Sequence, residues 1–133
     1  MNTAPVLDTH VWVWWMNGDG RLDTDITSML DAMSFPERPF LSDVSLWEVA
    51  MLADKGRLEL NQPLGDWLRF ASHERVVRVV PVSAAIAAEM STARVLRDPA
   101  DRLIVATSRV LGAPLLTHDR TILRSRLVER WPA

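Results

Sequence analysis

Apolar positions along the chain fall into two alternating patterns. Val6-Leu7, Phe40-Leu41, the stretch from Arg75 to Pro81 and Leu115-Leu116 are short apolar or β-branched runs bounded by polar residues or proline, as buried strands are. Between them apolar side chains recur at helical spacing. Such stretches run from Thr9 to Met16, from Asp23 (with Ile26, Met29, Leu30 and Met33), and from Asp43 to Lys55. Others start at Pro63 (with Leu64, Trp67, Leu68 and Ala71), at Ser83 and at Pro99. Punctuation agrees with this division. Asn17 to Gly20 is a turn, Ser34 to Pro39 a proline-marked loop, and Gly56 and Gly112 stand where helices stop. Ser42, Ser83 and Asp98 are placed as N-caps, the last followed by Pro99 at the first helical position. Arg120 to Arg126 reads as a closing helix, and Leu127-Val128 as a fifth, edge strand. Strand and helix in alternation predict an α/β fold with a mostly parallel sheet.

Length and composition narrow the class. The 133 residues fit one domain, 1–133, with enough chain for a real core. With no cysteine, disulfides and thiolate metal sites are excluded. No basic leader with an apolar segment precedes the first strand and no apolar run reaches spanning length, so the expectation is a cytoplasmic protein with no membrane partner. The net charge of −2 does not announce a nucleic-acid ligand. The basic side is distinctive in kind: Lys55 is the one lysine among 15 basic residues, and arginine is the side chain that grips phosphate with two hydrogen bonds.

Four acids then draw attention. Asp8 ends the first strand, at the sheet edge where open α/β folds bind ligands. Asp119 repeats that position after the fourth strand, with a helix cap as its structural alternative. Glu48 interrupts a helix that is apolar nearly all round from Val44 to Ala53. Its face also carries Val44, Trp47, Met51 and Leu52, so no rotation exposes it alone, and a carboxylate buried there needs a partner or a task. Asp101 falls in the first turn of its helix, where the helix dipole favours an acid. That helix feeds the strand of Asp119 from the opposite edge unless it is displaced toward the site, so spacing alone does not settle where Asp101 goes. Asp98 reads as a cap. Trp12, Trp15 and Met16 share a face and Trp14 lies off it, which suggests core packing and a partner-contact surface rather than a platform for bases.

Four blocks, LDTHVWVWW, SDVSLWEVA followed by KGRLEL, DPADRLIVATS, and LLTHD, together resemble the PIN-domain ribonucleases, and more narrowly the VapC-type toxins of toxin–antitoxin systems. The resemblance runs almost end to end, although the segment before Arg97 lacks the Leu-Pro and His common there. It implies a PIN-like three-layer α/β/α fold with strand order 3-2-1-4-5. It also implies that Asp8, Glu48, Asp101 and Asp119 converge as catalytic, metal-binding acids, with Ser45, Thr117 and Thr9 as supporting hydroxyls. Arg102, with Arg97 and Arg120, would meet substrate phosphate. Converging carboxylates repel by about 1–4 kcal/mol per close pair, and an all-oxygen donor set suits Mg²⁺ or Mn²⁺ better than zinc. The reaction implied is hydrolysis of RNA phosphodiesters by in-line attack of a metal-activated water.

With the four acids set aside, 15 basic side chains face 13 acidic ones, a mildly basic remainder compatible with RNA. A cognate antitoxin and a homodimer are the implied protein partners. Other phosphoryl enzymes fit less well: His10 stands where a haloacid-dehalogenase-like site needs a second aspartate, and Lys55 ends a helix instead of following a late strand as in receiver domains. A non-toxin nuclease of the same fold, or a catalytically silent partner-binding module, is the alternative.

Overall fold

A computed structural model describes residues 2–133. Four short strands, β1 (Val6–Leu7), β2 (Phe40–Ser42), β3 (Arg78–Val80) and β4 (Leu115–Leu116), make one sheet of order β3-β2-β1-β4, with every neighbouring pair parallel. Among the described residues seven α-helices accompany them: α1 (Thr9–Asn17), α2 (Thr24–Asp31), α3 (Val44–Asp54), α4 (Leu64–Ala71), α5 (Ala84–Glu89), α6 (Pro99–Leu111) and α7 (Arg120–Ser125).

The layers follow from strand geometry. Val6 is level with Phe40 and Leu115, and Leu7 with Leu41 and Leu116. Successive strand side chains point to opposite faces. Val6, Phe40 and Leu115 therefore enter one core, with Leu96, Ile104 and Ile122, while Leu7, Leu41 and Leu116 enter another, with Val11, Trp12, Val49 and Trp67. Helices cover both faces, as a buried parallel sheet requires. On the second face two tryptophans tie α1 to α4. Trp12 Nε1 donates to the Ala71 carbonyl at 2.9 Å, Trp67 Nε1 donates to Asn17 Oδ1 at 2.8 Å, and the rings meet edge-on with centroids 4.9 Å apart.

Three expectations change in detail. Ser42 completes β2 instead of capping α3; Asp43 takes the cap position, and the Ser42 hydroxyl accepts from Val44 N at 3.3 Å. The third strand begins at Arg78, because Val76 N and Val77 N both turn back to the His73 carbonyl as the chain leaves α4. No fifth strand forms at Leu127-Val128. The chain turns through Arg126 at φ 57° after α7, and Leu127 and Val128 then pack against the first-face core. The sheet is extended past β4 by a single parallel bridge from Leu115 to Arg130, so the order is 3-2-1-4 with a rudiment where the fifth strand was expected.

Helix α6 decides where the acids of its first turn go. It ends in a left-handed Gly112 (φ 59°) beside Asn2, whose backbone N–H donates to the Gly112 carbonyl at 3.1 Å and whose amide donates to that of Leu111 at 2.7 Å. Asn2 leads into β1, so this is the amino edge of the sheet. The helix runs antiparallel to the strands, and its start lies at the carboxyl edge. The place of Asp101, which spacing left open, is therefore the carboxyl edge: the last turn of α6 delivers the chain to β4, and its first turn lies at the other end.

Candidate active site

Each acid reaches the carboxyl edge on a different element. Asp8 follows β1 directly and caps α1, its Oδ1 accepting from Thr9 N at 2.8 Å. Asp119 follows β4 and caps α7 through Oδ1, which accepts from Thr121 N and Ile122 N. Glu48 comes from the middle of α3, which packs against α1 and α6. Asp101 comes from the first turn of α6, behind the Asp98 cap, whose Oδ1 accepts from Ala100 N at 2.8 Å.

These side chains line one cavity of about 310 Å³, together with His10, Val11, Trp14, Asp98 and His118. No lysine, arginine or tyrosine is in its wall among the described residues. Asp8 and Glu48 are each only 7% exposed. Their partners are hydroxyls, not cations. Thr117 Oγ1 donates to Asp8 Oδ2 at 2.6 Å and accepts from Asp119 N at 3.0 Å, so one hydroxyl fixes both strand-end acids. Thr9 donates to Glu48 Oε1, and Thr9 Oγ1 lies 2.8 Å from Ser45 Oγ. With the Thr9 proton committed to Glu48, Ser45 is the donor of that pair. Among the described residues no arginine or lysine forms an ion pair with Glu48.

The electrostatics are those of crowded, buried negative charge. Burial pushes the Asp8 carboxyl above its ordinary value, against the opposing pull of Thr117, Thr9 N and His10. Burial likewise raises Glu48, reinforced by Asp8 and Asp98 and opposed by Thr9. Asp101 is pushed up to about 7, first by burial and then by Asp8, Asp98, Asp119 and Glu48. None of the described residues donates a hydrogen bond that would offset this. Such displaced acids in a cleft mark functional sites more often than structural ones.

The arginines divide. Arg102 is turned into the loop before α6, donating from Nε to the Leu96 carbonyl and from Nη2 to that of Arg94. It braces backbone and is not in the cavity wall. Arg97 is exposed and outside the wall as well. Arg120 lines a neighbouring cleft with His118 and Arg130.

Trp14, set apart from the core by periodicity, stands in the acidic cavity with its ring perpendicular to His118 at 5.5 Å and 6.2 Å from His10. His10 and Trp14 are four residues apart and share a face of α1, which is the signal that pairs them. Asp98 is both cap and wall. Nothing in a cap pattern distinguishes those two roles.

Comparison with known proteins agrees with this geometry. A family model described as PIN domain matches residues 6–126. The chain is 34% identical over 125 residues, 93% of each sequence, to Ribonuclease VapC22 of Mycobacterium tuberculosis (strain ATCC 25618 / H37Rv). With the match spanning the sheet, the helices and all four acids, the chain belongs to the PIN-domain family and is of the VapC type within it.

Proposed function

We propose that this protein is an endoribonuclease that requires a hard divalent cation, Mg²⁺ or Mn²⁺, and acts as the toxin of a toxin–antitoxin pair. The observation that carries the reading is the cavity wall: carboxylates from the β1–α1 junction, α3, α6 and the β4–α7 junction face one space, with two histidines but no lysine or arginine among the described residues that line it. All-oxygen donors of this kind suit Mg²⁺ or Mn²⁺. As they stand, no three of the described acids and histidines are gathered tightly enough to hold one ion.

Asp8, Glu48, Asp101 and Asp119 are the residues that would hold the cation. When bound, it would supply Lewis acidity to a phosphoryl oxygen and ease deprotonation of the attacking water at neutral pH. The chain's own contribution is to aim the donors. Thr117 and Thr9 each fix one oxygen of an acid and thereby set the direction of the other, and Ser45 fixes Thr9. Asp119, half-exposed at the start of α7, would serve as a ligand or orient attacking water, and Asp8 and Glu48 are buried.

The relative is named a ribonuclease, and the toxin role and a cognate antitoxin are taken from that likeness. An apolar groove of about 680 Å³ walled by Trp15, Met16, Met33, Phe35, Phe70 and Val76 favours a protein partner, and Trp47, 56% exposed, favours a homodimer. No described helix is long and apolar enough to cross a membrane, which accords with a cytoplasmic site of action.

The test is Mg²⁺- and Mn²⁺-dependent cleavage of an RNA panel by wild type and Asp8→Asn. Cleavage with 5′-phosphate ends, abolished by EDTA and by the substitution, is the expected result. Wild type and Asp8→Asn behaving alike would sink the nuclease and favour a silent binding module.

A further inference from the structure

A second cleft adjoins the acidic cavity and differs from it in sign. It measures about 670 Å³ and is walled by Thr117, His118, Arg120 and Leu123 on one side and by Arg130 and Trp131 of the C-terminal tail on the other. His118 lines both spaces, so they adjoin at one exposed side chain. That side chain is seated edge-on against Trp14 with centroids 5.5 Å apart. Arg120 and Arg130 are exposed, and among the described residues neither is in an ion pair, unlike Arg21, Arg69 and Arg109. Trp131 is half-buried, its body against the core and part of its surface in the cleft. The tail that carries Arg130 and Trp131 is held by backbone: Leu115 N donates to the Glu129 carbonyl at 2.8 Å, and Trp131 N to that of Leu115 at 3.0 Å. The rudiment of a fifth strand thus places a cation and an aromatic ring beside the site.

We propose that this cleft binds the nucleotide next to the scissile phosphate of single-stranded RNA, with Arg120 and Arg130 on its phosphate and Trp131 against its base. This rests on the ribonuclease reading and extends it to substrate placement. Guanidinium groups take phosphate with paired hydrogen bonds, and an aromatic face accepts any base by stacking. An acidic chamber that repels the RNA backbone needs a basic neighbour if substrate is to approach without relying wholly on the cation. Duplex RNA is not the ligand this cleft suits, because stacking on Trp131 needs an unpaired, splayed base. Arg120, Arg130 and Trp131 are positioning residues; none lies in the cavity of the four acids.

The experiment is steady-state cleavage, with Mg²⁺, of a single-stranded RNA 20-mer by wild type, Arg130→Ala, Trp131→Ala, Trp131→Phe and Arg124→Ala. Arg130→Ala and Trp131→Ala should each raise KM by about five- to tenfold while kcat stays within about twofold. Arg130→Ala should also flatten the dependence of log KM on log salt by about one. Trp131→Phe should keep KM near wild type, since a ring remains to stack, and Arg124→Ala, on α7 but outside the cleft, should not move it. Unchanged KM in the two alanine variants, or kcat falling with KM fixed, overturns the assignment. So does a phenylalanine variant no better than alanine, which would make Trp131 a packing residue. A wild type that cleaves RNA while these variants match it removes only the cleft. A wild type that cleaves no RNA removes the nuclease reading and the cleft with it.

Discussion

Asp101 is where the crowding of charge is felt most. Its carboxyl is raised to about 7 by burial and by four neighbouring acids, whereas in the unfolded chain it titrates near its ordinary value of 3.8. Between those values the folded protein holds a proton that the unfolded chain has released. Stability from this group is therefore full below about pH 4 and is lost as pH rises toward 7. In EDTA, wild type should melt at a lower temperature at pH 7.5 than at pH 5.5. Asp101→Asn, which cannot ionise, should narrow that difference and melt higher than wild type at pH 7.5. After discounting for solvent exposure the gain is about 1–2 kcal/mol, and an Asn variant with the wild-type pH profile would show that the repulsion is relieved elsewhere. Thr117 offers a second test. Its hydroxyl joins Asp8 to the Asp119 backbone, so Thr117→Val, similar in shape, should cost about 10- to 100-fold in activity or metal affinity in a cleavage assay titrated with Mg²⁺. Full activity in that variant would mean the two acids need no common anchor.

At the level of elements, the first turn of α6 has two roles in one residue. Asp98 caps the helix and adds a charge to the cavity wall. Asparagine keeps the cap and drops the charge; alanine drops both. Asp98→Ala should therefore be less stable than Asp98→Asn by about 1 kcal/mol in chemical denaturation at pH 7.5. Asp98→Asn should itself be no less stable than wild type in EDTA, because one like charge has been taken from Asp101. If the two variants are equally stable, the Asp98–Ala100 hydrogen bond contributes nothing. The outline of α6 was legible beforehand from Asp98-Pro99 and Gly112, since caps are local chemistry. Spacing left open which edge its first turn reaches, and contacts of its last turn with Asn2, more than a hundred residues away, show which edge each end joins. Leu127-Val128 shows the converse failure. The pair has strand-like apolarity, yet the left-handed turn at Arg126 sends it into the core and leaves Glu129 to Trp131 to meet β4.

For the molecule as a whole, binding that occurs only in the folded state must stabilise it. Mg²⁺ or Mn²⁺ should raise the melting temperature, by about 2.7 kcal/mol in stability at a hundredfold excess over Kd. Asp8→Asn should blunt that response, and a wild type whose melting is indifferent to both ions would count against a hard-cation site. The arrangement that makes this possible is the parallel sheet. Every strand points its carboxyl end to the same edge, so residues distant in sequence are delivered to one place by topology. The two cores that build the sheet use Val6 and Leu7 on opposite faces and leave the next residue, Asp8, beyond the ladder.

The amino-acid sequence by itself determined the alternation of strands and helices, the place of Asp8 and Asp119 at strand ends, and the anomaly of a carboxylate in the apolar helix around Glu48. These are readable because hydrophobic period and capping chemistry act over a few residues. The gathering of the acids was legible only through likeness to a family, not through spacing. Tertiary structure alone decided that Asp98 joins the cavity wall, that Arg102 braces a loop, and that Arg130 and Trp131 stand beside Arg120. Those outcomes depend on which ends meet across the sheet and on which carbonyls a long side chain finds within reach, and neither is encoded in the local pattern of the residues concerned.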